Sequence, residues 1–279
     1  MKQLAFKQVD VFTRKPFAGN PVAVVLDGKG LSTEEMQHIA AWTNLSETTF
    51  ILPSTAADYH VRIFTPRHEL PFAGHPTIGS AHAVIEAGIV KPREGKFRQE
   101  CRAGVLELTE SKGMIEVRAP ERTLATLDGK RAELEKILGA RVLAAPVLVD
   151  VGPKWITAEL ADARTLDRLV PDMGAIGAFA DALGATGLNL FGATGSNQGP
   201  AYHVRSFAPT QGVPEDPVCG SGNISVAAYL AQAGRARAPY SARQGMQLGR
   251  DGLVSLRVEG GNIFLGGHAV TCVDGSLRV

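Results

Sequence analysis

With 279 residues the chain can form one large domain or two of ordinary size, and 44% hydrophobic against 20% charged residues suits a folded core. A formal net charge of +1 excludes a generally basic nucleic-acid binder. Three scattered cysteines, Cys101, Cys219 and Cys272, exclude a disulfide framework, and no run of about eighteen apolar residues is present to span a membrane.

Lys7 and Asp10 interrupt any signal-peptide core near the start, so a cytoplasmic protein is expected. Residues 4–12 alternate apolar and polar and predict a strand, followed by a turn at 15–20 and a strand at 21–26. Ser32 and Glu35 form a capping box that opens a helix running to about Trp42. Residues 49–52 read as a short buried strand. Residues 58–65 alternate, with Val61, Ile63 and possible core residue Tyr59 inward, and 66–76 read as irregular. Small apolar residues at 77–87, ahead of Gly88, predict a packed central helix. Residues 96–118 predict two or three antiparallel strands turning at Gly104 and Gly113.

The register changes near Pro120, which places a boundary there. Residues 1–118 with 268–279 are expected to form an N-terminal lobe and 119–267 a C-terminal lobe. The second lobe reads as a helix at 131–138, strands at 146–151 and 155–159, and helices at 162–169 and 173–183. Strands at 187–191 and 201–207 follow, then an irregular stretch at 208–220, a small-residue helix at 221–233 and strands at 247–258 and 262–270. Trp42 and Trp155 read as core, and Arg235 with Arg237 as a solvated helix end.

One pattern organises the chain. Tyr59-His60-Val61-Arg62-Ile63-Phe64-Thr65-Pro66 recurs as Tyr202-His203-Val204-Arg205-Ser206-Phe207-Ala208-Pro209, with six identities in eight ordered positions. Pro71 and Pro214 keep the same offset. With two extra residues then allowed in the second copy, Gly74 meets Cys219, His75 meets Gly220 and Ser80 meets Ser225. Both copies run strand, irregular loop, small-residue helix, so the chain is expected to be two related α+β halves facing each other. Each helix begins among Gly, Ser and Thr. Such an end offers free N–H groups and the positive end of a helix dipole, a seat for a small carboxylate.

Glu47, in Asn44-Leu45-Ser46-Glu47-Thr48-Thr49-Phe50-Ile51, is the only formal charge between Glu35 and Asp58. It is either a half-buried acid–base group or a turn carboxylate bonding nearby amides. His75 reads as a loop histidine or a proton carrier, Asp216 as an Asp-Pro turn or a site acid, and Ser221 as a helix N-cap or a ligand contact. The histidines lack zinc-site spacing, no Cys-x-x-Cys exists, and the Gly-rich stretch at 192–196 lacks a phosphate-loop or dinucleotide pattern. Neither metal nor cofactor is expected.

Four motifs in order carry a family resemblance: Asp10-Val11-Phe12 with Gly19-Asn20-Pro21-Val22-Ala23-Val24; Arg62-Ile63-Phe64-Thr65-Pro66; Phe72-Ala73-Gly74-His75-Pro76-Thr77; and Glu215-Asp216-Pro217-Val218-Cys219-Gly220-Ser221. The chain resembles the phenazine-biosynthesis PhzF family over essentially its whole length. That resemblance implies a diaminopimelate-epimerase-like α+β fold, two pseudo-symmetric lobes each with a sheet wrapped on a central helix. It implies Glu47 as the proton-shuttling acid–base, with His75 and Asp216 as catalytic partners. Substrate contacts are expected from Asn20, Ser46, Gly74, Gly220, Ser221 and Gly222. A homodimer is implied too, acting on a small carboxylate with no nucleic-acid or membrane partner. A carboxyl of ordinary pKa, about 4.3, returns a proton near neutrality only if its site raises that value, as burial and a nearby Asp216 would.

The chain departs from the related racemases and epimerases, in which two cysteines face each other, because Gly74 stands opposite Cys219. A two-thiol relay is impossible, and Cys219 is a relic thiol or a packing residue. The expected function is therefore a cofactor-independent isomerase of the trans-2,3-dihydro-3-hydroxyanthranilate isomerase type. The alternatives are a racemase using Cys219 with Glu47, and a non-catalytic protein binding small carboxylates.

Overall fold

The computed structural model describes residues 2–196, 198–236 and 238–279. The chain divides into two units, Met1–Arg118 with Gly266–Val279, and Ala119–Leu265. The expectation for Arg237 falls outside the described residues.

Unit 1 begins with β1 (Gln3–Val11), antiparallel to β2 (Asn20–Val25) and to the later part of β17 (Asn262–Arg278). From β2 the chain crosses through α1 (Thr33–Thr43) to β3 (Thr48–Leu52), which lies parallel to β2 with Thr48 opposite Ala23. The expected capping box starts α1, and Asn44 in the left-handed region (φ 54°) ends it. Next come β4 (Tyr59–Phe64), the short β5 (Glu69–Leu70) and α2 (Gly74–Glu86). The three strands β6 (Lys96–Cys101), β7 (Gly104–Ser111) and β8 (Met114–Arg118) then turn where the sequence predicts.

The alternation of the strands decides what each face buries. Leu4, Val25, Phe50 and Phe64 point to the α1 side and pack with Met36 and Ala40. The other face wraps α2, which lies against β1, β2, β3, β4 and β8. Gly79 lets the helix come this close: a Cβ there would sit 2.4 Å from Val22 Cγ1 and 2.9 Å from Val11 Cγ2.

Unit 2 repeats the plan. It contains β9 (Thr123–Thr126), α3 (Arg131–Leu138), β10 (Val147–Asp150) and β11 (Lys154–Glu159). A crossover through α4 (Ala163–Asp167) and α5 (Met173–Ala182) leads to β12 (Gly187–Ala193), parallel to β11. Then follow β13 (Tyr202–Ala208), β14 (Val213–Asp216), α6 (Gly220–Gln232), β15 (Tyr240–Gln244), β16 (Gly252–Glu259) and the start of β17. The central helix α6 packs on β10, β11, β12 and β16. The outer helices bury Leu134, Leu166, Ile176 and Phe179 against Ile156, Leu188 and Leu190.

The repeat is visible in its salt bridges. Arg62 clasps Glu69 with Nε–Oε1 and Nη2–Oε2 both at 2.8 Å, and Arg205 clasps Glu215 with the same two contacts at 2.8 and 2.9 Å. This pairing corrects the predicted alignment. The offset between copies grows from 143 at Arg62/Arg205 to 146 at Glu69/Glu215, and the extra residues are the 3-10 turn Pro209–Gln211. Ala73 therefore matches Cys219, Gly74 matches Gly220 and His75 matches Ser221.

Other differences have local causes. The region read as irregular at 66–76 holds β5 and the first turn of α2, because Pro76 occupies the third helical position, where its missing N–H costs nothing. Trp42 is not core: it is 79% exposed on α1, whereas Trp155 is buried. Arg235 is not a merely solvated end. It makes two bonds, 2.5 and 2.7 Å, to the carboxylate of buried Glu159. Among the described residues no helix is long and apolar enough to cross a membrane.

Gly79→Ala should destabilise unit 1 by about 1–3 kcal/mol despite alanine's better helix propensity, since the new methyl overlaps two valines. A lowered urea midpoint checks this, and an unchanged or higher midpoint would count against the close approach of α2.

Candidate active site

The site in unit 1 is built at the start of β3 and the start of α2. Thr48 and Thr49 are pinned on opposite faces of the strand. Thr48 Oγ1 lies 2.7 Å from Thr43 Oγ1 on α1, and Ser80 donates to Thr49 Oγ1 at 2.8 Å from α2. Side chains two apart share a face, so Glu47 points to the α2 side like Thr49. Its carbonyl accepts from Ala23 N–H on β2 at 3.4 Å. The carboxyl faces His75, the second residue of α2, with Oε2–Nε2 at 3.4 Å and the two side chains 15% and 6% exposed. That separation is longer than an ordinary N–H···O bond, as is common in unliganded sites whose catalytic contacts tighten around the reacting complex.

Burial lifts the Glu47 carboxyl from 4.5 to about 7, and the neighbouring Ser46 hydroxyl opposes this with a smaller lowering. The group thus sits near half-protonation at neutral pH, where an acid–base catalyst works both ways. Gly74 and His75 form the first turn of α2, whose N-cap Ala73 has no side chain to satisfy it. Asn20 opens β2, buried, on the same sheet face as Val22. Its approach is set by Asp10, whose buried Oδ2 accepts from Gly19 N–H at 3.0 Å.

In unit 2 the expected residues gather at the start of α6. Ser221 is not the N-cap. Cys219 is, and its Sγ accepts from Gly222 N–H at 3.2 Å. Burial, with the Asp216 charge adding to it, pushes the Cys219 thiol well above its ordinary value. The group is a protonated cap rather than a ready thiolate. Gly220 and Ser221 are the first two helical residues, and no acceptor among the described residues takes their N–H groups. Asp216 makes the turn contact anticipated for Asp-Pro, accepting from Val218 N–H at 3.0 Å.

Gln244 went unnoticed in the sequence, and Trp155 was read only as core. Gln244 donates to the Asp216 carbonyl at 3.0 Å and accepts from Cys219 N–H at 3.1 Å, so it holds both ends of the loop. Its strand lies between Pro239 and Gly245, with no clear alternation to reveal it. Trp155 donates its indole N–H to Ser221 Oγ at 3.0 Å. The signal was present: Trp155 and Thr157 alternate with core residues Ile156 and Ala158, and Thr157 bonds Ser225 of α6. Among the described residues no group of three His, Cys, Asp or Glu is placed to hold a metal ion.

Residues 9–275 match the model of the family described as phenazine biosynthesis-like protein. The chain belongs to the PhzF family. It is 40% identical to Antisense-enhancing sequence 1 of Schizosaccharomyces pombe, with 99% of each chain covered. It is 35% identical to the trans-2,3-dihydro-3-hydroxyanthranilate isomerase of Pseudomonas chlororaphis, over 90% of this chain and 89% of that one. The crystal structure of a Bacillus anthracis phenazine biosynthesis protein of the PhzF family superposes with a TM-score of 0.89 at 26% identity, covering all of both chains. The fold is the mixed one the repeat anticipates, and the protein is an isomerase of a small molecule.

The raised Glu47 pKa has a stability consequence. Its folded-state value exceeds the ordinary 4.5, so the contribution is fully present below pH 4.5 and is lost as pH rises through about 7. The loss amounts to about 3 kcal/mol. Glu47→Gln cannot ionise and should gain that amount over wild type between pH 4.5 and 7.5 in urea unfolding. A difference independent of pH would contradict the shift.

Proposed function

We propose that the protein moves a proton on a small carboxylate metabolite, with Glu47 as the acid–base that removes it from an activated carbon and returns it elsewhere on the same molecule. The observation that carries this reading is the buried Glu47 carboxyl, lifted to about 7, opposite His75. His75 polarises or relays the proton, and Asp216 helps to position the substrate. The substrate's carboxylate and developing charge are bound by backbone N–H groups at Gly74, Gly220 and Ser221, and by the side chains of Asn20, Ser46 and Ser221, whereas the Gly222 N–H is spent on Cys219 Sγ and serves the site through that cap. The chemistry is of the type named for the Pseudomonas chlororaphis relative, a trans-2,3-dihydro-3-hydroxyanthranilate isomerase. The Schizosaccharomyces pombe relative, at 40% identity, bears a name without a reaction, so the substrate is assigned by the screen below.

The alternative of a racemase working through Cys219 is opposed by the capping role and raised pKa of that thiol.

The test is a screen of carboxylate metabolites in heavy water, beginning with trans-2,3-dihydro-3-hydroxyanthranilate. Wild type should incorporate deuterium. Glu47→Gln should lose about a hundred- to ten-thousandfold in rate while still binding, and Cys219→Ser should retain most of it. Full exchange in Glu47→Gln, or its loss in Cys219→Ser alone, would overturn the assignment. Tight binding of these carboxylates without deuterium uptake by wild type would likewise count against the proton shuttle. The same reading includes a cytoplasmic location and a homodimer, for which sedimentation at micromolar concentration should give twice the 29.5 kDa chain mass; a single-chain mass would count against the dimer.

A further inference from the structure

Both units place the second residue of a central helix against a partner on the sheet, but the chemistry of the two pairs differs. In unit 1 His75 faces Glu47, and in unit 2 Ser221 faces Trp155. The strand registers identify the counterparts. Glu47 precedes Thr48, which lies opposite Ala23 and Phe64, and Gly187 precedes Leu188, which lies opposite Ile156 and Phe207. Gly187 therefore stands where unit 1 carries its acid. A Cβ on Gly187 would lie 2.1 Å from Phe207 O and 3.0 Å from Trp155 Cζ3, so bare backbone here makes room for the indole.

The replacement removes every group able to exchange a proton near neutral pH from this pair. An indole N–H only donates, and a serine hydroxyl is both donor and acceptor. With Trp155 donating to Ser221 Oγ, the serine's own hydrogen is directed elsewhere. Its nearest partner is Cys219 Sγ, 3.5 Å away, a weak acceptor already taken by Gly222 N–H. The Ser221 hydrogen and the unclaimed N–H groups of Gly220 and Ser221 are all donors. Together they suit a carboxylate oxygen.

We propose that Trp155 is a positioning residue whose indole N–H holds the Ser221 hydroxyl as a donor to the substrate carboxylate. On this account unit 2's counterpart of the acid–base pair has become a binding element without a proton-transfer role. The inference rests on the isomerase reading above and adds the division of labour within it.

The experiment is a double-mutant cycle with Trp155→Phe and Ser221→Ala, read as KM and kcat for heavy-water exchange. Losing one neutral hydrogen bond to the hydroxyl should raise KM about three- to tenfold, with kcat within twofold and the pH midpoint unmoved. Trp155→Phe should add nothing in the Ser221→Ala background. An unchanged KM, a fall confined to kcat, or an equal effect with and without Ser221 would overturn it, the last marking a purely structural tryptophan.

If wild type shows no exchange, the isomerase reading fails separately, and the same cycle is read as the Kd of 3-hydroxyanthranilate. A Kd raised by Trp155→Phe only when Ser221 is present still supports the inference. Unchanged affinity, or no binding by wild type, overturns it. Should Trp155→Phe not fold, the indole N–H resonance of Trp155, distinguishable from that of exposed Trp42, should shift with 3-hydroxyanthranilate in wild type and not in Ser221→Ala. No shift in wild type overturns the inference.

Discussion

Keeping water from a carboxyl group lets it hold and release a proton at neutral pH, and the organisation of unit 1 does this for Glu47. Glu47 sits one residue before a strand whose first two threonines are tied to helices on opposite faces, so the backbone sets the side of the sheet from which it projects. Gly79 brings α2 down onto β1 and β2, and the helix start delivers an imidazole to the carboxyl. The same burial that makes the group useful makes its ionisation unfavourable for the folded state. On the proposed function, this is the trade of stability for chemistry common at functional sites.

The duplicated plan explains how such a site is supported without special architecture. Each copy ties an arginine, Arg62 of β4 or Arg205 of β13, to a glutamate five residues before the central helix. What differs is what faces the second helical residue. Unit 1 carries an ionisable pair, whereas unit 2 carries a capped thiol, a serine and an indole. Cys219 is engaged in capping, and burial keeps its thiol protonated.

Much of this was legible in the sequence, for physical reasons. Glu47 stood out as a lone charge in an apolar stretch, the capping box fixed the start of α1, and the recurrence of Tyr-His-Val-Arg exposed the duplication. The motifs then led to the family. Errors arose where local pattern is weak. A three-residue turn at 209–211 displaced the second copy, so His75 was matched to Gly220 instead of Ser221. The strands β9 and β15 are short and polar, and Pro76 hid the first turn of α2. Trp42 was taken for core because its size argues burial, yet α1 turns it outward. Trp155 was correctly placed inside, and its alternation with Ile156 marks the face that meets α6, but hydropathy treats the indole as apolar and so passes over the N–H that reaches Ser221.

The central claim is that Glu47 is a proton carrier because its site makes it one. The most direct measurement is the carbon-13 chemical shift of its side-chain carboxyl followed against pH, assigned by the signal missing in Glu47→Gln. The account predicts a midpoint near 7. A midpoint at the ordinary 4.5 would contradict it.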